Sequence, residues 1–240
     1  MFRLQCLVVC VLVYFAVADA SAVSFVKACK PDDHPCHKAS AIAAMPHMVA
    51  GVPELGIPSS DPLNLKDVNA DDKDLKLRFT NIQVTGIKNC VVEDLIRDLD
   101  KSSMKMVLTC PLVSKGQYSL HGKLLFITAE GEGDFTIIAN KVKIEAVLRM
   151  KTVESGGKKH WKITGYDYKF DLLEKASINL KNLFGGDETR SKPIHDLFDH
   201  SWRELITEVG APINNQIFEK LVEVVKIFLK KMPVDKLELS

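Results

Sequence analysis

The stretch that decides the fold of this chain is residues 201–233, "SWRELITEVGAPINNQIFEKLVEVVKIFLKKMP". Its apolar residues recur at spacings of three and four, which is the period of one face of an α-helix. The apolar stripe begins before the quoted stretch, and its members are Ile194, Leu197, Phe198, Trp202, Leu205, Ile206, Val209, Ile213, Ile217, Leu221, Val224, Val225 and Phe228. Gly210 and Pro212 predict either a kink in this helix or a split into two helices. A stripe of this length requires an equally long apolar surface to pack against.

That surface is predicted at about residues 75–184, where the apolar residues alternate with polar ones. The segment "VKIEAVLRM" (142–150) shows the alternation of a strand with one dry face. In "LKLRFTNIQVTGI" (75–87) the alternation slips between Phe79 and Ile82, which predicts a β-bulge and a bent strand. We therefore predict the α+β class, with a long C-terminal α-helix wrapped by a highly curved antiparallel β-sheet.

The amino terminus has the pattern of a secretory signal peptide. Arg3 is followed by the apolar run "LQCLVVCVLVYFAVA" (4–18), and residues 18–20, "ADA", supply small residues where a signal peptidase reads. A membrane anchor is the alternative, but the apolar run is shorter than the roughly 20 residues that span a bilayer. We predict a signal peptide at 1–20 and one secreted, extracellular domain at 21–240.

Cleavage there leaves four cysteines, two of which lie in "ACKPDDHPC" (28–36). In an oxidising compartment, Cys29 and Cys36 are more typical of a disulfide than of half a zinc site. His34 and His37 are then interpreted as solvated loop residues.

The other two cysteines, Cys90 and Cys110, flank two predicted strands that meet near "DKSS" (100–103). The sequence favours equally a disulfide between them and two buried free thiols.

Composition and motifs argue against several classes of function. With 32 Lys and Arg against 31 Asp and Glu, the chain has no net field that favours nucleic acid. It contains no G-x-S-x-G, H-E-x-x-H, Walker or G-x-G-x-x-G motif. His195 and Asp199 have helical spacing, but a solvated surface pair is the commoner arrangement. We predict no enzyme activity, no metal, no cofactor and no nucleic-acid partner.

Five segments in order resemble the insect takeout and juvenile hormone binding protein family. They are spread along the mature chain and are residues 28–36, 51–63 ("GVPELGIPSSDPL"), 116–135 ("GQYSLHGKLLFITAEGEGDF"), 182–187 ("NLFGGD") and 201–237. The resemblance implies a hydrophobic tunnel between helix and sheet, and a family disulfide between Cys29 and Cys36. No cysteine follows Cys110, whereas better-known hormone-binding members have a further disulfide near the carboxy terminus. The chain therefore looks more like the takeout branch, and juvenile hormone is not assumed.

The function that this implies is a secreted carrier of a small, elongated hydrophobic ligand, such as a juvenile hormone-like terpenoid, a fatty acid or another lipid. The residues predicted to line the tunnel, each with an ordinary core role as the alternative, are Met104, Met106, Leu108, Phe126, Phe135, Met150, Phe170, Trp202, Phe218 and Phe228.

The alternative function is a membrane- or receptor-facing protein that uses its amphipathic C-terminal helix. The polar face of that helix mixes Glu with Lys, whereas interfacial helices favour Lys and Arg, so no stable membrane association is expected.

Overall fold

A computed structural model describes residues 23–239, so the predicted signal peptide lies outside the described residues. The helices are α1 (His34–Ala50), α2 (Glu188–His200), α3 (Trp202–Glu204) and α4 (Ala211–Lys231). The strands are β1 (Leu63–Asn64), β2 (Val68–Asn69), β3 (Leu75–Thr85), β4 (Val91–Asp98), β5 (Ser103–Leu124), β6 (Ile127–Ser155), β7 (Lys158–Leu172) and β8 (Ser177–Leu180).

The eight strands form one open antiparallel sheet in the order β1-β3-β5-β6-β7, with β2 also on β3, β4 on β5 and β8 on β6. The long strands β5 and β6 serve two halves of this sheet. In one half they pair with β4 and β7, and in the other with β3 and β8. The register of β5 on β6 shifts between Cys110 and Leu112, where the halves meet.

Bulges bend the sheet around the helix. The register of β3 on β5 shifts between Thr80 and Gln83, and Asn81 has a φ of 51°. The slip predicted between Phe79 and Ile82 is therefore confirmed. A second shift lies on β6 between Arg149 and Met150. Because a bulge increases the local bend and twist of a strand, these positions allow long strands to curve without breaking.

The C-terminal helical segment runs from α2 through α3, a π-helical turn (Leu205–Val209) and α4. The N–H of Gly210 donates to the carbonyl of Leu205 at 2.8 Å. A Cβ at Gly210 would lie 2.6 Å from the Ile206 carbonyl oxygen, so the turn requires glycine. Pro212 lies at the start of α4, where it displaces no helical hydrogen bond. Glycine and proline thus produce a local π turn, and the helical path continues.

The apolar stripe of this helical segment faces the sheet. The buried members of the stripe are Ile194, Leu197, Phe198, Leu205, Ile206, Ile213 and Ile217. Polar residues on the opposite face of the helix, including Glu208, Glu219 and Lys226, are exposed. The predicted α+β fold of a helix wrapped by a curved sheet is confirmed.

No helix in residues 23–239 is both long and apolar enough to cross a membrane. The apolar face that the membrane-docking alternative needs is packed inside the protein.

Two disulfides are formed in the described part of the chain. Cys29 and Cys36 join the amino-terminal segment to the first turn of α1, with Cα atoms 5.7 Å apart. Cys90 and Cys110 are also joined, with Cα atoms 4.1 Å apart. The helix begins inside the Cys29–Cys36 loop, and His37 is only 5% exposed. The interpretation of His37 as a solvated loop residue was wrong, because helix formation turns its side chain inward.

Tyr118 ties the sheet to the segment after β8. Its hydroxyl donates to the Lys181 carbonyl at 2.7 Å, and burial raises the pKa of this phenol from 10.0 to about 12. Between these values the unfolded chain loses a proton that the folded protein keeps, so stability should fall as pH rises. Urea unfolding at about pH 9 and about pH 11 should show this loss, and Tyr118→Phe should reduce it. An equal loss of stability in the wild type and in Tyr118→Phe would show that Tyr118 is not its cause.

Candidate functional site

Three cavities lie in a row along the C-terminal helix. The far cavity, of about 70 Å³, is lined on the C-terminal helical segment by residues from Phe198 to Asn214. The middle cavity, of about 60 Å³, is lined there by residues from Ile206 to Leu221. The large cavity, of about 220 Å³, is lined by residues from Leu221 to Leu229. The order of the cavities therefore follows successive turns of the helix.

Neighbouring cavities share lining residues. Ser114, Ile137, Ile206 and Asn214 line both the far and the middle cavity, and Leu221 lines both the middle and the large cavity. Leu112, Ala139 and Val142 line the middle cavity, which places it where the two halves of the sheet meet. The row thus passes from one half of the sheet to the other.

Helix α1 forms one wall of the large cavity. The residues that it contributes are His37, Ser40, Ala41, Ala44, Met45, Met48 and Val49, which recur at helical spacing. Alanine side chains on this face leave space, and methionine side chains adapt to different shapes. The sheet contributes Leu95 and Trp161 among others, and the carboxy-terminal segment contributes Leu237.

The polar side chains of the two smaller cavities are largely engaged within the protein. The Nδ2 of Asn214 donates to the Ile206 carbonyl at 2.9 Å, and the Tyr168 hydroxyl donates to the Oδ1 of Asn215. Burial raises the pKa of Tyr168, so its hydroxyl is neutral. The walls of the two smaller cavities are therefore mostly hydrocarbon, which suits the apolar chain of a ligand.

The structure does not assemble a catalytic pair at the positions considered from sequence. The Asp199 carboxylate accepts a hydrogen bond from Lys175 at 2.7 Å, and Lys175 lowers the pKa of Asp199. His195 lies beside Asp199 in a separate, polar surface pocket. In the large cavity no described residue forms a hydrogen bond with the His37 Nε2, so the serine–histidine contact of a hydrolase is not formed there.

Six of the ten residues predicted to line a tunnel do line a cavity. Met104, Met106, Leu108 and Phe228 line the large cavity, and Phe170 and Phe218 line the middle one. Phe135 and Met150 are buried in the core, and Trp202 is half-buried against it. Their ligand contact, like that of the lining residues, stays a prediction.

Phe126 requires a correction, because it is 73% exposed and lies in the turn between β5 and β6. At this hairpin tip the Leu125 side chain packs against the core, whereas the adjacent Phe126 side chain is left in solvent. Sequence reasoning missed the inner face of α1. The spacing of His37, Ala41, Ala44 and Met48 was the available signal.

A family model described as haemolymph juvenile hormone binding protein (JHBP) matches residues 6–238. The chain belongs to the JHBP family. The crystal structure of Takeout 1 from Epiphyas postvittana matches with a TM-score of 0.85 at 25% identity, over 90% of this chain and 100% of that one. The resemblance predicted from sequence, including its takeout character, is confirmed.

The chain also resembles one curated protein over part of its length. A protein of Schistocerca gregaria described as a candidate beta-carotene-binding protein is 25% identical over 113 residues, which are 46% of this chain and 45% of that protein. The chain thus matches less than half of that relative's length. The JHBP family is one of carriers for small hydrophobic ligands and not of enzymes.

Proposed function

We propose that this JHBP-family protein is a secreted carrier that holds one elongated hydrophobic ligand in a tunnel along its C-terminal helix. The observation that carries the proposal is the row of three cavities whose neighbours share lining residues. At about 1.5 Å per residue, the helix from 205 to 229 that follows the row is about 36 Å long. A ligand that occupies the whole row must therefore be a long chain.

The proposed tunnel requires side-chain movements that join the three cavities. Leu221 separates the middle and large cavities, and Ile137 and Ile206 lie at the next junction. All three are aliphatic, so rotating them breaks no hydrogen bond of their side chains. Each Å² of apolar ligand surface removed from water contributes about 25 cal/mol. A terpenoid, a fatty acid or another lipid fits these requirements, and the apolar lining by itself does not distinguish them.

Secretion is part of this proposal. The predicted signal peptide at 1–20 directs the chain to an oxidising compartment. The disulfides Cys29–Cys36 and Cys90–Cys110 are stable in that environment. A soluble carrier outside the cell has a clear physical task, because a long apolar ligand cannot itself remain dispersed in water.

The direct test is to express the chain in a eukaryotic secretion host, extract the purified protein with organic solvent and identify any lipid by mass spectrometry. We expect an elongated lipid in stoichiometric amount. If nothing is extracted and the protein also fails to bind apolar fluorescent probes, the carrier proposal is wrong.

A matched pair of variants on α1 tests where the ligand lies. Ala41 lines the large cavity, whereas Ala43 is exposed on the outer face of the same helix. Ala41→Phe should weaken binding of N-phenyl-naphthylamine about tenfold, because the added ring occupies the cavity. Ala43→Phe should bind this probe like the wild type. Fluorescence titration measures both affinities, and circular dichroism checks that both variants fold. Unchanged binding by Ala41→Phe would remove the large cavity from the proposed site.

A further inference from the structure

The large cavity is lined by a buried polar atom, the Nε2 of His37, that has no hydrogen-bond partner among the described residues. The His37 ring is 5% exposed, and no described residue forms a hydrogen bond with its Nε2 atom. A buried polar atom without a partner destabilises a protein, so such atoms are uncommon. His37 also lines the large cavity. A molecule in that cavity is therefore placed to supply the missing partner.

The position of His37 is held firmly. Its backbone N–H donates to the Asp33 carbonyl at 3.0 Å in the first turn of α1. The preceding residue, Cys36, is joined to Cys29, whose N–H donates to the Leu237 carbonyl at 3.1 Å. Leu237 lines the same cavity as Leu229, at the end of the row opposite the junction at Leu221. His37 thus lies near the Leu237 end of the row.

We propose that His37 is a ligand anchor, which hydrogen-bonds through Nε2 to an oxygen at one end of an elongated ligand whose chain extends toward Leu221. This inference rests on the proposed carrier function and narrows the ligand class. The ligand is a long-chain alcohol or carbonyl compound, and it is neither a pure hydrocarbon nor an ionised acid. A hydroxyl serves either tautomer of the imidazole, because it both donates and accepts.

The surroundings of His37 favour a neutral end group. An ionised carboxylate in an apolar cavity requires a charged partner to offset its desolvation. Lys27 is the cationic residue of the described lining, and it is exposed to solvent. Ser40 offers little, because its Oγ already pairs with the backbone N–H and carbonyl of Lys27 at 2.9 Å. A neutral oxygen requires only the hydrogen bond that His37 can provide.

The test compares two probes of equal chain length, dodecanol and chlorododecane, by displacement of N-phenyl-naphthylamine. Only dodecanol has a hydroxyl to bond with His37. The wild type should prefer dodecanol about tenfold, and His37→Leu should abolish that preference. His37→Gln should retain much of it, because the glutamine amide reaches a similar position. The matched control is His34→Leu, an exposed histidine in the first turn of the same helix, which should behave like the wild type.

The outcomes separate the anchor from the carrier. If both probes bind, and the ratio of their affinities is the same in the wild type and in His37→Leu, the anchor proposal is overturned and the carrier proposal stands. Failure of both probes to bind the wild type would overturn both. If His37→Leu does not fold, isotope-labelled imidazole nitrogens in the wild type provide a second measurement. The His37 Nε2 resonance should shift with dodecanol and not with chlorododecane, and an identical response to the two probes would overturn the anchor.

Discussion

Phe135→Ala is expected to lower the free energy of unfolding by about 3–5 kcal/mol. The Phe135 side chain is 1% exposed and meets the Phe79 ring edge-on, with ring centroids 5.0 Å apart. On the neighbouring strand its register partner is Gly116, and a Cβ at Gly116 would lie 2.8 Å from the Phe135 ring. The ring therefore covers a glycine that has no side chain of its own. Truncation leaves a cavity bounded by rigid strands, which have little freedom to collapse into it.

Urea unfolding measures this loss, and the same hairpin provides the control. Phe126→Ala removes an identical side chain that is 73% exposed, so its effect should stay within about 0.5 kcal/mol. Both phenylalanines were predicted from sequence to line a tunnel. A small loss of stability in Phe135→Ala together with weaker binding of N-phenyl-naphthylamine would instead assign Phe135 to the ligand.

The contrast between these two residues shows why sequence predicted the fold better than the site. The alternation in residues 142–150 and the helical stripe from Ile194 to Phe228 each predict one face of an element. Burial alternates along the strand as expected, whereas the stripe is mostly buried as far as Ile217 and half-buried from Leu221 to Phe228. A hairpin tip is normally marked by glycine, asparagine or proline. The tip here is Leu125–Phe126, in an apolar run that reads as continuous strand. Phe126 was consequently placed inside.

Cavity lining was harder to predict, because a lining residue and a core residue have the same chemistry. Leu197 and Leu205 belong to one stripe, yet of the three cavities Leu197 borders none and Leu205 borders the far one. Whether such a side chain borders a cavity depends on the volumes of the residues that other elements place around it. The contribution of α1 was missed for another reason. The cysteine pair led to the interpretation of His34 and His37 as loop residues, whereas α1 begins at His34 and proline is tolerated in the first turn of a helix. His37 was therefore not considered as a buried group.

Glu238→Ala is expected to lower the free energy of unfolding by about 3 kcal/mol, because it leaves Arg97 buried without its partner. The Arg97 Nε and the Glu238 Oε2 are 3.5 Å apart, and the two side chains are 9% and 18% exposed. The Arg97 guanidinium also lies over the Trp161 ring, 5.1 Å from its centroid. The pair fastens the carboxy-terminal segment, whose Leu239 N–H donates to the Cys29 carbonyl at 2.8 Å.

The control for this prediction is an exposed pair on α4. Glu223 accepts from Lys220 at 2.9 Å, and the side chains are 49% and 35% exposed. Glu223→Ala should lower stability by less than about 1 kcal/mol, because water screens both charges. A loss as large as that of Glu238→Ala would show that burial of the Arg97–Glu238 pair is unimportant.

Replacing both members of the buried pair separates the ion pair from the packing around it. The double variant Arg97→Met with Glu238→Leu has no buried charge, so it should recover most of the stability lost by Glu238→Ala, to within about 1 kcal/mol of the wild type. Trp161 and Leu237 lie beside this pair, and both line the large cavity. Glu238→Ala should therefore also weaken binding of N-phenyl-naphthylamine, and the double variant should restore it. If the double variant regains stability without regaining binding, Arg97 and Glu238 also shape the Leu237 end of the cavity, in addition to fastening the carboxy-terminal segment.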